Sequence, residues 1–287
     1  TKQSAGFARA VTVQLGHLKD EKKFWEIEKL PNLKEGSNDE DNAYFGGLRP
    51  GDQPKDEAFK TAFRLITQPN KLCGIKGPPG TGKTHLVGLA MTKLANEGKK
   101  CLLISKSHRA IENALLEIAW TAKQCATAHP NIRIPRIGKK ANPRLPDDCL
   151  RAGIQKVGSW PRTGDAFDDP WVGLDIIGIS ADSAVIRTKG NPLEEFPADY
   201  IFVEEAGQMP AYGTVALHPM GKNMVLLGDE DQLAPIVRAA HSKEWSVGES
   251  ALAFLQELHP NRVRALPVTH RLCSPICEVV GKIYYPK

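Results

Sequence analysis

The feature that most constrains this chain is one run of eight residues, Gly77-Pro78-Pro79-Gly80-Thr81-Gly82-Lys83-Thr84. It matches the pattern G-x-x-x-x-G-K-[S/T] in full, between an apolar run, Leu72–Ile75, and a helical pattern, Lys83–Asn96. The glycines let backbone N–H groups converge on an anion, and the helix adds the positive end of its dipole. Lys83 offers a charge to the β- and γ-phosphates, and the Thr84 hydroxyl offers a ligand to Mg²⁺. The run predicts a site for ATP and Mg²⁺, whereas the alternative is a glycine-rich turn that only caps a helix.

The apolar runs after this loop indicate the fold class. Short runs alternate with helical patterns from Cys73 onward, with helices expected at 83–96 and 108–122. Continuous apolar strands separated by helices are typical of a parallel sheet covered on both faces. We therefore predict an α/β fold with a mostly parallel sheet. The expected strands are Leu72–Ile75, Cys101–Ser105, Asp175–Ile179, Tyr200–Val203, Met224–Leu227 and Val263–Leu266.

Two regions depart from this alternation. Residues 1–50 combine an apolar run that fits a strand, Ala10–Leu15, with a polar stretch at 34–42. Residues 123–172 contain several prolines, basic residues and two tryptophans, with one expected short strand, Asn131–Ile137. We predict an N-terminal accessory segment at 1–50 and a nucleotide-binding domain at 51–287, interrupted by an insertion at about 123–172.

Composition sets the class of protein. Hydrophobic residues make up 41% of the 287 residues and charged residues 25%, as in globular proteins, and no apolar run approaches the ~18 residues of a membrane span. A net charge of +5 favours anionic partners. Cys273 and Cys277 lack a second pair, so we expect reduced thiols rather than a metal site. With no signal peptide and Thr1 in place of Met, we expect a piece of a soluble, intracellular protein, cytoplasmic or nuclear.

Two further motifs end apolar strands with polar side chains. In Phe202–Gln208, the Glu204 carboxylate would lie near Mg²⁺ and the Glu205 carboxylate near the attacking water. In Gly228–Pro235, Gln232 would place an amide where it senses the γ-phosphate. Taken alone, the first motif is equally compatible with a solvated strand edge and the second with a surface turn.

Together, GPPGTGKT (77–84), VEEAGQ (203–208) and GDEDQLAP (228–235) resemble the motifs of superfamily 1 helicases. The branch with the nonsense-mediated mRNA decay helicase and senataxin looks most similar. Residues 101–112, 175–180, 268–275 and 283–285 resemble further motifs of that family, in the family's order. The resemblance covers about residues 50–287.

This resemblance implies a RecA-like P-loop NTPase domain, the first of two in a helicase motor. It also implies ATP hydrolysis coupled to movement on single-stranded DNA or RNA, with either nucleic acid open. The second RecA-like domain would begin where this sequence stops, at Lys287. Residues 1–50 would be the remnant of an accessory domain and stalk, and the insertion a second accessory element.

The resemblance also implies roles for individual residues. Glu205, Gln232 and Arg271 would be catalytic, and Thr84 and Glu204 would bind Mg²⁺. Nucleic acid would contact Ser107, His108 and Ser180. The ATP-binding set would be Gly77, Pro78, Pro79, Gly80, Thr81, Gly82, Lys83, Thr84, His85, Gln53 and His270, with Gln53 reading adenine and His270 stacking on it.

Three positions depart from the family pattern. Glu204 precedes Glu205 where the family has Asp-Glu, His270 replaces the usual tyrosine, and His108 replaces an asparagine. The Glu204 change leaves open a nucleotide-gated interaction module with little or no hydrolysis. A third interpretation, an AAA+ ring ATPase, shares the phosphate loop but requires a sensor asparagine and an arginine pattern that this sequence lacks.

Overall fold

A computed structural model of the chain describes residues 45, 56–124, 132–137, 147, 149, 154–157, 174–185, 198–235 and 249–285. Eight strands in these ranges form one sheet in the order β4-β3-β5-β2-β6-β7-β1-β8. The strands are β1 Leu72–Lys76, β2 Cys101–Ser105, β3 Pro135–Ile137, β4 Gln155–Val157, β5 Ile176–Ser180, β6 Ala198–Val203, β7 Gly221–Gly228 and β8 Val263–Ala265.

Every strand pair in this sheet is parallel, which confirms the predicted fold class. The six strands expected outside the insertion are all present, and β2 begins and ends where predicted. The insertion differs from the prediction because it contributes two short strands, β3 and β4, instead of one. They extend the main sheet beside β5, and the polar run of β4, Gln155-Lys156-Val157, gives no apolar signal from which to predict it.

Helices cover both faces of the sheet. They are α1 Glu57–Thr67, α2 Lys83–Asn96, α3 His108–Gln124, α4 Ala181–Val185, α5 Ala211–Val215, α6 Ala251–Leu258 and α7 Ser274–Tyr284. The α2 bounds match the prediction, and α3 runs two residues past the predicted 122.

The core consists of two apolar layers, one on each face. Successive strand side chains point to opposite faces, so Cys101 and Leu103 pack with α1, α2 and α3, whereas Leu102 and Ile104 pack with α4, α5 and α6. Because the strands are apolar on both sides, the sheet is buried between the helix layers. This burial leaves the carboxyl ends of the strands as the edge where polar side chains collect.

The strand order brings the three motif loops to neighbouring positions on that edge. β7, which leads to Gln232, lies between β1, which leads to the phosphate loop, and β6, which leads to Glu204. In open parallel sheets, ligands bind outside the carboxyl ends of the strands. The fold therefore predicts one site built from all three loops.

Some predictions fall outside the described residues. The strand at Ala10–Leu15 and the adenine-reading Gln53 are among them. Of the predicted accessory segment, the structure describes only Phe45, whose ring centroid lies 4.8 Å from that of Phe63 in α1. The domain boundaries at 50 and 51 therefore remain predictions.

Candidate nucleotide site

The phosphate loop connects β1 to α2 through two left-handed glycines. Gly80 and Gly82 have φ angles of 82° and 87°, which L side chains rarely adopt. The Gly77 N–H donates to the Gly228 carbonyl at 3.1 Å, and the Thr81 hydroxyl donates to the Pro78 carbonyl at 3.0 Å. The loop is thus tied to the end of β7 and closed on itself.

Lys83 lies at the first position of α2 and points back into the loop. Its ammonium donates to the carbonyl of Gly77 and, at 3.0 Å, to that of Pro78. Burial lowers the Lys83 pKa, while the negative charges of Asp229 and Glu204 oppose that shift. A half-buried ammonium that is bound to loop carbonyls and attracted by two carboxylates can exchange those carbonyls for phosphate oxygens.

Glu204, directly after β6, is a buried carboxyl. Burial raises its pKa to about 7, although the Lys83 ammonium lowers it. Among the described residues, no hydrogen-bond donor reaches its Oε1 atom. A buried carboxylate oxygen without a donor is a suitable ligand for a hard cation, so Glu204 and the Thr84 hydroxyl fit the predicted Mg²⁺.

Glu205 has an unusual backbone conformation. Its φ of 58° and ψ of 37° lie in the left-handed region, which is uncommon for a side chain of this size. Burial raises the Glu205 pKa, and a hydrogen bond with Ser105, the last residue of β2, opposes this. Backbone strain of this kind clusters at functional sites, which supports the catalytic role predicted for Glu205.

Gln232 is exposed and contacts a carboxylate in this structure. Its amide Nε2 donates to Oδ2 of Asp229 at 2.8 Å, three residues earlier. Asp229 itself is buried at the end of β7, and its charge is among those that act on Lys83. The amide predicted to sense the γ-phosphate is therefore held by a carboxylate whose charge also acts on the loop lysine.

The segment that follows β8 packs directly on the phosphate loop. The His270 N–H donates to the Gly80 carbonyl at 2.8 Å, and the Thr269 hydroxyl donates to the Pro79 carbonyl at 3.0 Å. A Cβ added at Gly80 would lie 2.2 Å from the Cβ of Arg271. Arg271 is exposed, and its positive charge contributes to the lowered pKa of Lys83. His270 and Arg271 therefore lie at the loop, and their roles at adenine and at the γ-phosphate stay predictions.

The side chain of His85 engages protein neighbours. Its Nδ1 lies 2.7 Å from Oε1 of Glu117 in α3, and its ring centroid lies 5.9 Å from that of Phe59 in α1. Phe59 also packs near Gly82 of the loop. His85 thus joins α1, α2 and α3 next to the loop, and its contact with ATP stays a prediction.

The predicted nucleic-acid residues follow β2 and β5. The Ser107 hydroxyl accepts from the Ala110 N–H at 3.2 Å, which caps α3. Ser180 is buried and its hydroxyl donates to that of Ser183 at 2.8 Å. The imidazole of His108 contacts the guanidinium of Arg136 in β3. These local bonds account for the serines as helix caps, so their contact with nucleic acid stays a prediction.

Three site residues escaped the sequence reasoning. Asp229 holds Gln232, Thr269 holds the loop, and Tyr285 donates its hydroxyl to Asp229 at 2.5 Å. All three lie in segments that resemble family motifs, Asp229 in 228–235, Thr269 in 268–275 and Tyr285 in 283–285, but the motifs assigned none of them a role. Within the described ranges, no group of three or more His, Cys, Asp or Glu is placed to hold a metal, and no helix could span a membrane. Cys273 and Cys277 are free thiols.

Comparisons with known proteins find relatives that are similar in sequence. A family model described as "AAA domain" matches residues 54–159. The "DNA replication ATP-dependent helicase/nuclease DNA2" of Saccharomyces cerevisiae is 29% identical over 229 residues, 79% of this chain and 14% of that protein. The "DNA-binding protein SMUBP-2" of Rattus norvegicus is 24% identical over 80% of this chain and 27% of its own length. This chain thus spans a small part of these relatives.

Among solved structures, unliganded Pif1 from Bacteroides sp matches 80% of this chain and 45% of that chain, with 15% identity and a TM-score of 0.41. Because that score is low, the fold is established by the sheet order of this chain and not by the likeness to that structure. The narrower resemblance to the branch of the nonsense-mediated mRNA decay helicase and senataxin is not confirmed. The motifs, their order along one parallel sheet and the curated relatives make the chain similar to the first RecA-like domain of superfamily 1 helicases.

Proposed function

We propose that this chain binds and hydrolyses ATP with Mg²⁺ and is the motor domain of a helicase that moves on single-stranded nucleic acid. The observation that carries the proposal is the buried Glu204 carboxyl. One of its oxygens has no donor among the described residues, and its charge acts on the ammonium of Lys83. Burying an unpaired carboxyl destabilises a fold, so its presence beside a phosphate loop favours a bound cation and nucleotide.

The arrangement supports a division of labour among the side chains. Thr84 and Glu204 would hold Mg²⁺, which supplies charge neutralisation at the phosphates. Lys83 would leave the loop carbonyls for the β- and γ-phosphates. Glu205, whose pKa is raised by burial, would orient the attacking water and accept its proton. Gln232 would move from Asp229 to the γ-phosphate.

Movement on nucleic acid is the wider part of the proposal. Seven of the curated relatives carry "DNA replication ATP-dependent helicase/nuclease" in their names, which favours DNA over RNA as the track. Loops after β2 and β5, with Ser107, His108 and Ser180, would contact the backbone of a strand. Translocation also requires a second RecA-like domain that closes on the nucleotide. An intracellular location belongs to the same proposal.

The nucleotide-gated module without hydrolysis is not favoured. Glu205, the expected base, is present, and Glu204 retains a carboxyl next to Lys83 despite its extra methylene. The names of the relatives also describe ATP-dependent helicases. Hydrolysis is therefore the function that the site supports best.

The first test is nucleotide titration by calorimetry with wild type, Lys83→Ala and a matched control, Lys93→Ala. Lys93 lies on the same helix and pairs with Glu97, away from the loop. Lys83→Ala should weaken Mg·ATP binding by ~100-fold or more because two or more charge-assisted hydrogen bonds are lost. Lys93→Ala should bind as wild type does. Equal ATP affinity in wild type and Lys83→Ala would refute the site.

The second test is ATP turnover with and without single-stranded DNA, in a chain that joins this domain to a second RecA-like domain. Strand contacts close the cleft, so DNA should raise turnover. Turnover that no nucleic acid changes would refute the motor function while leaving nucleotide binding intact.

A further inference from the structure

A hydrogen-bond network joins Gln232, through Asp229, to Tyr285 at the end of the last helix, α7. Oδ2 of Asp229 accepts from the Gln232 amide at 2.8 Å and from the Tyr285 hydroxyl at 2.5 Å. The other oxygen, Oδ1, accepts from the Asp231 N–H at 3.1 Å. Asp229 is buried, so protein donors satisfy a charge that water reaches poorly. Tyr285, directly after α7, is thus bonded to the same atom as the amide predicted to sense the γ-phosphate.

The backbone next to this network is closely packed. A Cβ added at Gly207 would lie 2.2 Å from the carbonyl oxygen of Asp229, and one added at Gly228 would lie 2.6 Å from the nitrogen of Gly207. The turn after β6 and the end of β7 therefore pack backbone against backbone. Because Asp229 cannot shift readily, a change in the network must come from the side chains of Gln232 and Tyr285.

We infer that Tyr285 is a positioning residue for Gln232 and sets how readily Asp229 releases that amide to a γ-phosphate. The inference rests on the proposed function. Two donors on one oxygen divide its negative charge, so each bond is weaker than it would be alone. The Tyr285 hydroxyl thereby loosens the hold of Asp229 on Gln232.

Tyr285 is suited to this role because it stays protonated. Burial and the bond to Asp229 both raise its pKa, so the hydroxyl remains a donor across the pH range in which ATP is bound. Its position after α7 also links the state of Gln232 to that helix, which carries exposed apolar side chains, Ile276, Val279 and Ile283.

The test is Tyr285→Phe, which removes the hydroxyl and keeps the ring. Affinities for Mg·ATP and Mg·ADP are measured by calorimetry. Without the second donor, Asp229 retains the amide more strongly, so the preference for ATP over ADP should fall by ~10-fold while ADP affinity stays within ~2-fold. A merely structural role would weaken both nucleotides alike. An unchanged preference would overturn the inference.

A double-mutant cycle separates this role from general damage. In a Gln232→Ala background, Tyr285→Phe should leave the nucleotide preference unchanged, because the amide through which Tyr285 acts is absent. An equal fall in both backgrounds would overturn the inference. Tyr200→Phe is the matched control, since it removes a hydroxyl that donates to the Thr67 carbonyl at 3.0 Å, at the end of α1. It should keep the wild-type preference. If wild type bound no ATP, the proposed function itself would fail.

Discussion

Glu204→Gln should change the pH dependence of stability in a calculable way. The carboxyl is buried, and its pKa is raised from 4.5 to about 7. Below pH 4.5 it is protonated in both the folded and the unfolded chain, so it adds no pH-dependent term. Between these two values the unfolded chain loses its proton first, and stability falls as pH rises. Above the folded pKa the loss of stability is complete. The difference between the folded and unfolded pKa values corresponds to about 3 kcal/mol of unfolding free energy.

The assay is denaturant unfolding without nucleotide, from pH 5 to pH 8.5, for wild type and Glu204→Gln. The buried amide adds a constant cost of its own, but that cost does not vary with pH. The gap between the two free-energy curves should therefore move by about 3 kcal/mol in favour of the variant as pH rises. Glu257→Gln makes the same chemical change at an exposed position of α6 and should track wild type.

At high pH, magnesium and ATP should make wild type more stable than Glu204→Gln. Cation binding requires the ionised carboxylate, so nucleotide with Mg²⁺ should stabilise wild type at pH 8, and Glu204→Gln should lose most of the Mg²⁺ dependence. Parallel pH curves for wild type and Glu204→Gln would show that this carboxyl is not held in its protonated form, and the argument for a cation site would fail with it.

Three further outcomes are expected. Glu205→Gln should keep Mg·ATP binding while hydrolysis falls ~100-fold or more in a turnover assay, because an amide cannot accept the proton of water; if Glu204→Gln shows this behaviour instead, the two roles are exchanged. Arg271→Ala should barely change ATP affinity in this chain, yet lower turnover by ~10³-fold in a chain with the second domain; unchanged turnover there would remove it from the catalytic set. Affinity for single-stranded nucleic acid should fall with salt and vary little with base order. Strong base specificity in competition binding would contradict the proposal that the protein moves along the strand through contacts with its backbone.

The sequence predicted what depends on local patterns. Apolar runs gave the strands, and the loop motif gave the start of α2, because burial on both faces and phosphate geometry leave a signal within a few residues. β4 was missed because an edge strand of polar residues carries no such signal. The left-handed Glu205 was missed as well, since its conformation follows from the packing of the turn after β6.

Contacts between residues distant in the sequence could not be predicted, for a different reason. Thr269 binds the carbonyl of Pro79 across 190 positions, and Tyr285 binds Asp229 across 56. Which loops meet depends on the order β6-β7-β1-β8, and apolar periodicity gives strands without giving their order. The candidate site residues could therefore be chosen from motifs, whereas the side chains that hold them in place could be found only from the fold.

The contact between Gly207 and Asp229 has a consequence for how variation in this protein should be interpreted. Gly207 carries no functional group, yet any side chain there would push away the carbonyl of Asp229, the residue that holds the amide of Gln232, our proposed γ-phosphate sensor. In a saturation screen scored by growth or turnover, position 207 should rank with Lys83, although it touches no nucleotide. A clinical or environmental variant at this glycine would resemble a catalytic knockout, and only a stability measurement would reveal that its origin is steric.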